Sequence, residues 1–203
     1  AIEAGTDITA GLMQSVVQAA QLAADRIAAF ATDASAELEA FSTTLVLGVA
    51  KKTGNGDWFL ASFSVGDGAA GLYRDGDTAS PRMIAPDSGS YAGQTAFLRP
   101  DSFAETATVT ARLHHRIVPD FTAFMLMTDG VSDPMFPSDM ALDDPDTWGK
   151  VWNSHLAPLG IADNTPDAHH ALLDWLNFKV KGEHADRTIV LMIPSKISAD
   201  TPD

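Results

Sequence analysis

Residues 43–77 read TTLVLGVAKKTGNGDWFLASFSVGDGAAGLYRDGD, and this stretch decides the fold class. Two apolar runs at 43–50 and 58–65 are typical of strands and flank a Gly-Asn-Gly turn, and a shorter run at 71–74 follows a second glycine-rich turn. Strands joined by such short turns are antiparallel, because parallel neighbours need a long crossover segment between them. The stretch therefore predicts a β-meander rather than a parallel sheet.

Helices are predicted before and after the meander in the chain. Apolar residues recur at three- and four-residue spacing over residues 7–41, which predicts one long amphipathic helix that Asp7 caps at its N-terminus. This helix contains many alanines, whose small side chains favour close packing on a flat surface such as a sheet. Further along the chain, residues 148–156 and 166–180 also show helical patterns.

The rest of the chain completes one predicted domain. Four more segments have recognisable patterns: an edge strand at 106–112, a buried strand at 121–128, an Asp- and Pro-rich loop at 133–147, and a buried strand at 188–193. We find no repeat and no linker, so residues 1–195 are predicted to form a single α+β domain. Residues 196–203 are predicted to be a disordered tail.

The composition argues against several classes of function. The chain has 203 residues and a net charge of -14, and both nucleic acids and anionic membranes need clusters of Lys and Arg. It has no Cys, which removes Cys-ligated zinc, iron–sulfur clusters and thiol nucleophiles and fits a reducing compartment. No apolar run reaches the roughly 18 residues of a membrane span, and the N-terminus does not resemble a signal peptide. We therefore expect a cytoplasmic protein without a nucleic-acid or membrane partner.

Three motif-like patterns have simpler explanations. The G-x-G-x-x-G pattern at 66–71 precedes a strand-like run instead of the helix that a dinucleotide site needs, so its glycines are interpreted as turn residues. A calcium loop that starts at Asp144 would place Trp148 and His155 at ligand positions, so this acidic region is interpreted as a solvated loop. Adjacent histidines, as at 114–115, cannot chelate one metal from one face.

Single aspartates at strand ends are the candidate functional residues. Asp67, Asp129 and Asp186 each lie beside an apolar strand-like run. Carboxylates there would be partly buried and costly unless paired, and three at one sheet end would repel one another unless a divalent cation lay between them. Hard oxygen ligands favour Mg²⁺ or Mn²⁺. The alternative is that all three are turn residues, since Asp-Gly is a common turn dipeptide and the sequence spacing does not show convergence.

Four segments resemble the metal-dependent serine/threonine protein phosphatases of the 2C type (PPM family), in particular their bacterial branch. They are residues 42–45 (STTL), residues 64–73 (SVGDGAAGLY), residues 127–133 (MTDGVSD) and residues 184–190 (HADRTIV). They occur in the family's order, and the resemblance extends over about residues 5–193. The second segment has Gly68-Ala69 where Ser-Arg is usual in the family.

The resemblance implies two stacked antiparallel β-sheets flanked by α-helices, with a metal centre at one end of the sandwich. It implies that Asp129 and Asp186 are ligands of a binuclear centre and that Asp67 lies near an additional metal, so two or three Mn²⁺ or Mg²⁺ ions are expected. The implied activity is hydrolysis of phosphoserine and phosphothreonine in proteins through a water that the binuclear centre activates. A phosphoprotein substrate and a cognate serine/threonine kinase are the implied partners.

The sequence departs from the family pattern ahead of the long helix. The family's first metal-binding Asp and its A-D-G segment precede that helix, whereas this chain starts at it. If those N-terminal strands are missing from the chain, a sheet edge is uncovered, and we expect the chain to associate with its missing segment. If this is a degenerate member, the alternative function is a catalytically inactive regulatory or phosphoprotein-binding module. The sequence identifies no basic residue that would hold the phosphate.

Overall fold

The computed structural model describes residues 2–84, 95–163, 165–179 and 185–194, and the side chains from residue 9 onward. The chain begins with helix α1, Ile2–Asp33. The helix contains Asp7, so the prediction that Asp7 caps it is wrong, and it also ends earlier than predicted. Ser35 has a φ of 51°, a left-handed conformation that does not continue a helix, and a separate 3₁₀ turn follows at Leu38–Phe41.

The first sheet has the strand order β1-β2-β4 and is antiparallel throughout. Its strands are β1 (Leu45–Lys52), β2 (Trp58–Val65) and β4 (Leu113–Val118). The β1–β2 pair is the hairpin that the sequence predicts. The third strand of the predicted meander does not pair with β2 and lies in the other sheet, so the meander prediction is wrong beyond the hairpin. α1 covers the outer face of this sheet through the buried residues Val16, Ala20 and Ala24, which belong to one apolar cluster with Phe59 and Phe63 of β2.

The predicted edge strand at 106–112 is wrong. Thr106–Ala111 forms helix α2, and the edge position beside β2 is taken by β4, which the sequence analysis did not predict. The alternation of threonine with apolar residues does not exclude a helix here. In the helix, the Thr110 hydroxyl donates to the Thr106 carbonyl (2.8 Å), so its polar group is satisfied without a strand. Val109 packs against the cluster under α1.

The second sheet has the strand order β3-β5-β6 and is also antiparallel. Its strands are β3 (Ala69–Tyr73), β5 (Ala123–Met127) and β6 (Ile189–Met192). Every residue of β3 and β5 is buried. The sheets face each other across an apolar layer that includes Leu60, Phe124 and Leu126. The predicted fold, two stacked antiparallel sheets flanked by helices, is confirmed.

Short helices occupy the segment that was predicted to be an Asp- and Pro-rich loop at 133–147, so that prediction is wrong. They are α3 (Asp129–Met135), α4 (Asp139–Asp143) and α5 (Pro145–Lys150), and α5 continues into a π-helical turn, Val151–Leu156. Polar residues here begin helices, whereas the sequence pattern predicts a solvated loop. The Asp144 carboxylate accepts the backbone N–H groups of Asp146 and Thr147, which caps α5.

The C-terminal part of the domain contains helix α6, Ala168–Leu176, within the range predicted as helical. The other face of the second sheet packs against α5 and the π-helical turn after it, through Trp148, Trp152 and Leu156. The predicted tail at 196–203 lies outside the described residues. None of the helices in the described part of the chain combines the length and apolar character that crossing a membrane requires.

Candidate active site

The strand register of the second sheet brings the three candidate aspartates to one end of it. Ala69 pairs with Met127, and Met127 pairs with Ile189, so the two ladders end at the same level. Asp67 lies just before β3, Asp129 just after β5, and Asp186 shortly before β6. Because all neighbouring strands are antiparallel, these positions lie at the same end of the sheet. The convergence that the sequence spacing could not show is a consequence of this register.

Asp129 is the first residue of α3 and is half-buried. Its Oδ1 accepts the backbone N–H of Gly130 at 2.7 Å. The Thr128 carbonyl accepts the N–H groups of Val131 and Ser132, both at 2.9 Å, so the chain turns from β5 directly into the helix. The carboxylate therefore lies at the point where a buried strand ends, and its backbone is fixed on both sides.

Asp186 lies against this turn through its backbone. A Cβ on Gly130 would collide with the Asp186 carbonyl oxygen and lie 3.1 Å from its carbonyl carbon, so only glycine fits at position 130. The Thr128 hydroxyl donates to the Asp186 carbonyl at 3.3 Å and accepts the Thr188 N–H at 3.0 Å. Thr128 thus fixes the segment that carries Asp186 beside the segment that carries Asp129.

Asp67 lies on the other side of β5, in the turn between β2 and β3. Its Oδ2 accepts the Thr95 hydroxyl at 2.7 Å. Gly66 has a φ of 108°, which favours glycine, and Gly68 leaves room for the Met127 carbonyl oxygen, 2.8 Å from where a Cβ would lie. A strand follows this turn, which confirms the turn interpretation of the G-x-G-x-x-G pattern.

The expectation that all three carboxylates are partly buried is wrong for two of them. Asp67 and Asp186 are exposed, and only Asp129 is half-buried. Asp67 and Asp186 lie at strand ends next to solvent, so contact with water reduces the desolvation cost of their charges.

The chemistry of these donors suits a divalent metal, but their grouping does not complete a site. Carboxylate oxygens are hard ligands of the kind that Mg²⁺ and Mn²⁺ prefer. In the part of the chain that the structure describes, however, no three acidic or histidine side chains form a group that could hold a metal ion. The sheet end thus supplies suitable donors as separate carboxylates rather than as an assembled ligand set.

Arg187 is a basic residue of this region to which the sequence patterns gave no role. Its Nε donates to the Gly130 carbonyl at 3.0 Å and its Nη1 donates to the Leu176 carbonyl at 3.3 Å. The guanidinium lies over the Phe178 ring, 4.2 Å from the ring centroid. A cationic group therefore lies beside the Asp129 turn. Its position next to Asp186 in the sequence was visible, but its direction toward Gly130 depends on tertiary packing.

The other acidic and histidine patterns have structural roles in the described residues. Asp143 accepts a hydrogen bond from Ser80 (2.8 Å) and pairs with Arg82 (3.2 Å), so it anchors α4. The Thr147 hydroxyl, which donates to Asp144, is the main cause that lowers the pKa of Asp144 below its ordinary value. Burial, followed by the charges of Arg82 and Arg116, lowers the pKa of His114. These contacts agree with the rejection of a calcium loop.

Comparison with known proteins points to one family. A family model described as Protein phosphatase 2C matches residues 2–177. Searches of curated proteins and of solved structures gave no match. The matched range includes Asp67 and Asp129, whereas Asp186 and Arg187 lie beyond it.

Proposed function

Because the chain belongs to the protein phosphatase 2C family, we propose that it hydrolyses phosphoserine and phosphothreonine in proteins with the help of Mn²⁺ or Mg²⁺. Family membership by itself supports phosphatase activity. The observation that carries the metal-dependent proposal is the position of Asp67, Asp129 and Asp186 at one end of the second sheet. A phosphoprotein and its serine/threonine kinase are the proposed partners.

We assign Asp129 and Asp186 to a binuclear metal centre and Asp67 to the vicinity of a further ion. When bound, such ions polarise the phosphoryl group and provide a nucleophilic oxygen from water at neutral pH. Asp129 and Asp186 are held close through the contact between Gly130 and the Asp186 carbonyl. The hydroxyl of Thr95 orients Asp67 from the other side of β5.

Electrostatics gives a reason for metal dependence. A phosphomonoester carries close to two negative charges at neutral pH, and the chain has a net charge of -14. Three carboxylates at one sheet end would repel such a substrate, so the bare sheet end is a poor phosphate site. Divalent cations would reverse the sign of the local potential and make the same end attractive to phosphate.

One observation favours a second candidate function. The described residues contain no group of three acidic or histidine side chains that could hold a metal ion. A catalytically inactive phosphatase-like module, which binds a phosphoprotein or regulates a partner, would need no such group. The two functions differ in turnover and in their need for metal.

The deciding experiment measures phosphate release from a phosphothreonine peptide by the full chain over a range of Mn²⁺ concentrations. The phosphatase proposal predicts turnover that rises with Mn²⁺, saturates, and disappears in EDTA. An unphosphorylated peptide of the same sequence is the matched control for binding. Peptide binding that requires the phosphate but gives no turnover at any Mn²⁺ concentration would favour the inactive module, and turnover in EDTA would contradict the metal mechanism.

A further inference from the structure

We propose that Arg187 is a positioning residue of the candidate site, which holds the Asp129–Gly130 turn by replacing a hydrogen bond that α3 cannot make. This inference rests on the proposed function, because it concerns how that site presents Asp129. The resemblance assigns no role to Arg187, and Arg187 lies beyond residues 2–177, which the family model matches.

The missing hydrogen bond is due to a proline inside α3. Pro134 lies within the helix Asp129–Met135, and proline has no backbone N–H. In an α-helix the N–H of residue 134 would donate to the carbonyl of residue 130. The Gly130 carbonyl therefore lacks its normal helical donor, although Gly130 is buried. A donor from elsewhere in the fold can take the place of this missing N–H.

Arg187 supplies that donor. Its Nε lies 3.0 Å from the Gly130 carbonyl oxygen, and its Nη1 lies 3.3 Å from the carbonyl oxygen of Leu176 at the end of α6. One planar group therefore connects α3, α6 and the segment that enters β6. Hydrogen bonds from a charged donor are about twice as strong as those between neutral groups.

Aromatic packing fixes the plane of the guanidinium. Its Cζ lies 4.2 Å from the centroid of the Phe178 ring, and that ring contacts Trp175 at a centroid distance of 5.4 Å. Stacking of this kind restricts the rotation of the guanidinium and keeps its N–H groups directed at the two carbonyls. A lysine would retain the charge but lacks the planar fork, so it cannot reproduce both hydrogen bonds.

The orientation of Asp129 depends on the same turn. The Gly130 N–H donates to Asp129 Oδ1 at 2.7 Å, and the Gly130 carbonyl accepts from Arg187. The two bonds hold the peptide planes on either side of the Gly130 Cα, so loss of either bond frees a rotation at Gly130 that would move the Asp129 side relative to the rest of α3. We therefore expect Arg187 to act on metal binding through Gly130, in the way that hydrogen bonds to the groups around a metal ligand fix the orientation of that ligand.

The test combines loss with rescue and uses the full chain. Arg187→Met removes the donor, and Pro134→Ala in the same chain restores a backbone N–H that can bond to the Gly130 carbonyl. We expect Arg187→Met to weaken Mn²⁺ binding, measured by calorimetry, by about tenfold, and the double variant to recover much of that loss. Arg74→Met removes an exposed ion pair with Asp120 at the opposite end of the sheet and is the matched control, with unchanged Mn²⁺ affinity.

Kinetics distinguishes positioning from direct contact with substrate. A positioning role predicts that Arg187→Met lowers kcat for a phosphopeptide at saturating Mn²⁺ with little change in KM. A raised KM with unchanged kcat would show that Arg187 binds the phosphate itself and would overturn the proposal. So would a loss of Mn²⁺ affinity that Pro134→Ala fails to restore. If Arg187→Met does not fold, Arg187→Lys is used with the same rescue.

A measurement that needs no metal separates the role of Arg187 from the proposed function. Hydrogen exchange of residues 129–136 in the metal-free chain should be faster in Arg187→Met and return toward the wild-type rate in the double variant. If the wild-type chain neither binds Mn²⁺ nor hydrolyses the peptide, the proposed function fails while this exchange pattern still supports the role of Arg187. Unchanged exchange in Arg187→Met would overturn that role.

Discussion

The two ends of the β3–β5–β6 sheet hold their polar side chains in opposite ways. At the end that carries Tyr73, polar groups bind one another: the Tyr73 hydroxyl donates to Asp75 at 3.0 Å, and Arg74 pairs with Asp120 at 2.8 Å. At the other end, no ion pair within the described residues involves Asp67, Asp129 or Asp186.

The difference concerns charge rather than backbone order. At the aspartate end, the backbone is held by the contacts of Thr128, Gly130 and Arg187. Within the described residues, these contacts give none of the three carboxylates an ion-pair partner. Under the proposed function, the aspartate end is the one that would hold a cation, whereas the side chains at the Tyr73 end satisfy one another and contribute to the fold.

The largest difference between the two ends is expected in activity. Asp129→Asn removes a charge from the aspartate end, and the proposed function predicts that turnover of a phosphopeptide with Mn²⁺ is lost while the circular dichroism spectrum is unchanged. Asp120→Asn is the matched control, since Asp120 is exposed and lies before the other end of β5. Turnover retained in Asp129→Asn, or lost equally in both variants, would remove the functional distinction between the ends.

A smaller contrast is expected in stability when a methyl group is added at each end. Gly130→Ala places a Cβ against the backbone of Asp186, which cannot move aside as a side chain can, and should lower the free energy of unfolding by about 1–3 kcal/mol. Gly149→Ala places one 3.3 Å from the Tyr73 hydroxyl within helix α5, where the gain in helix propensity offsets the contact. We expect it to change stability by less than about 1 kcal/mol. Urea unfolding of both variants measures this contrast, and equal losses would contradict it.

The smallest effect is expected at the Tyr73 end and depends on pH. Burial, and then the hydrogen bond to Asp75, raises the pKa of Tyr73 above its ordinary value of 10.0. A folded-state pKa above the unfolded one gives stability that is fully present below about pH 10 and is lost as pH rises further. Tyr73→Phe should cost about 1 kcal/mol at pH 8 through the lost hydrogen bond, and this cost should shrink above pH 10. Urea unfolding at pH 8 and pH 10.5 checks it; a cost that grows with pH would contradict the assigned cause.

Much of the fold was predictable because its signals are local. The hairpin of β1 and β2 follows from two apolar runs around a Gly-Asn-Gly turn, and its second strand has the predicted bounds, Trp58–Val65. The errors occur where local signals conflict with tertiary contacts. Alternation at 106–112 suggested a strand, yet packing of Val109 under α1 and the place of β4 beside β2 favour a helix.

The candidate site was predictable only as a set of separate residues. Residue type and position beside apolar runs selected Asp67, Asp129 and Asp186, but did not show that they lie at the same end of one sheet. Arg187 was not identified, although Pro134 offered a signal: a proline inside a helix leaves a carbonyl without its donor. The proline indicates a missing hydrogen bond only if residues 129–135 are known to be helical, and the sequence pattern at 133–147 predicts a loop.

The sequence by itself therefore determined the β1–β2 hairpin, the short strand after it, the long helix, the turn glycines and the resemblance to the protein phosphatase 2C family. These depend on side chains within a few residues of one another, where spacing and turn chemistry are sufficient. Only the tertiary structure decided that three distant aspartates share one sheet end and that Arg187 reaches Gly130. Both depend on strand register and helix packing between segments far apart in the chain, and local sequence patterns do not encode those distances.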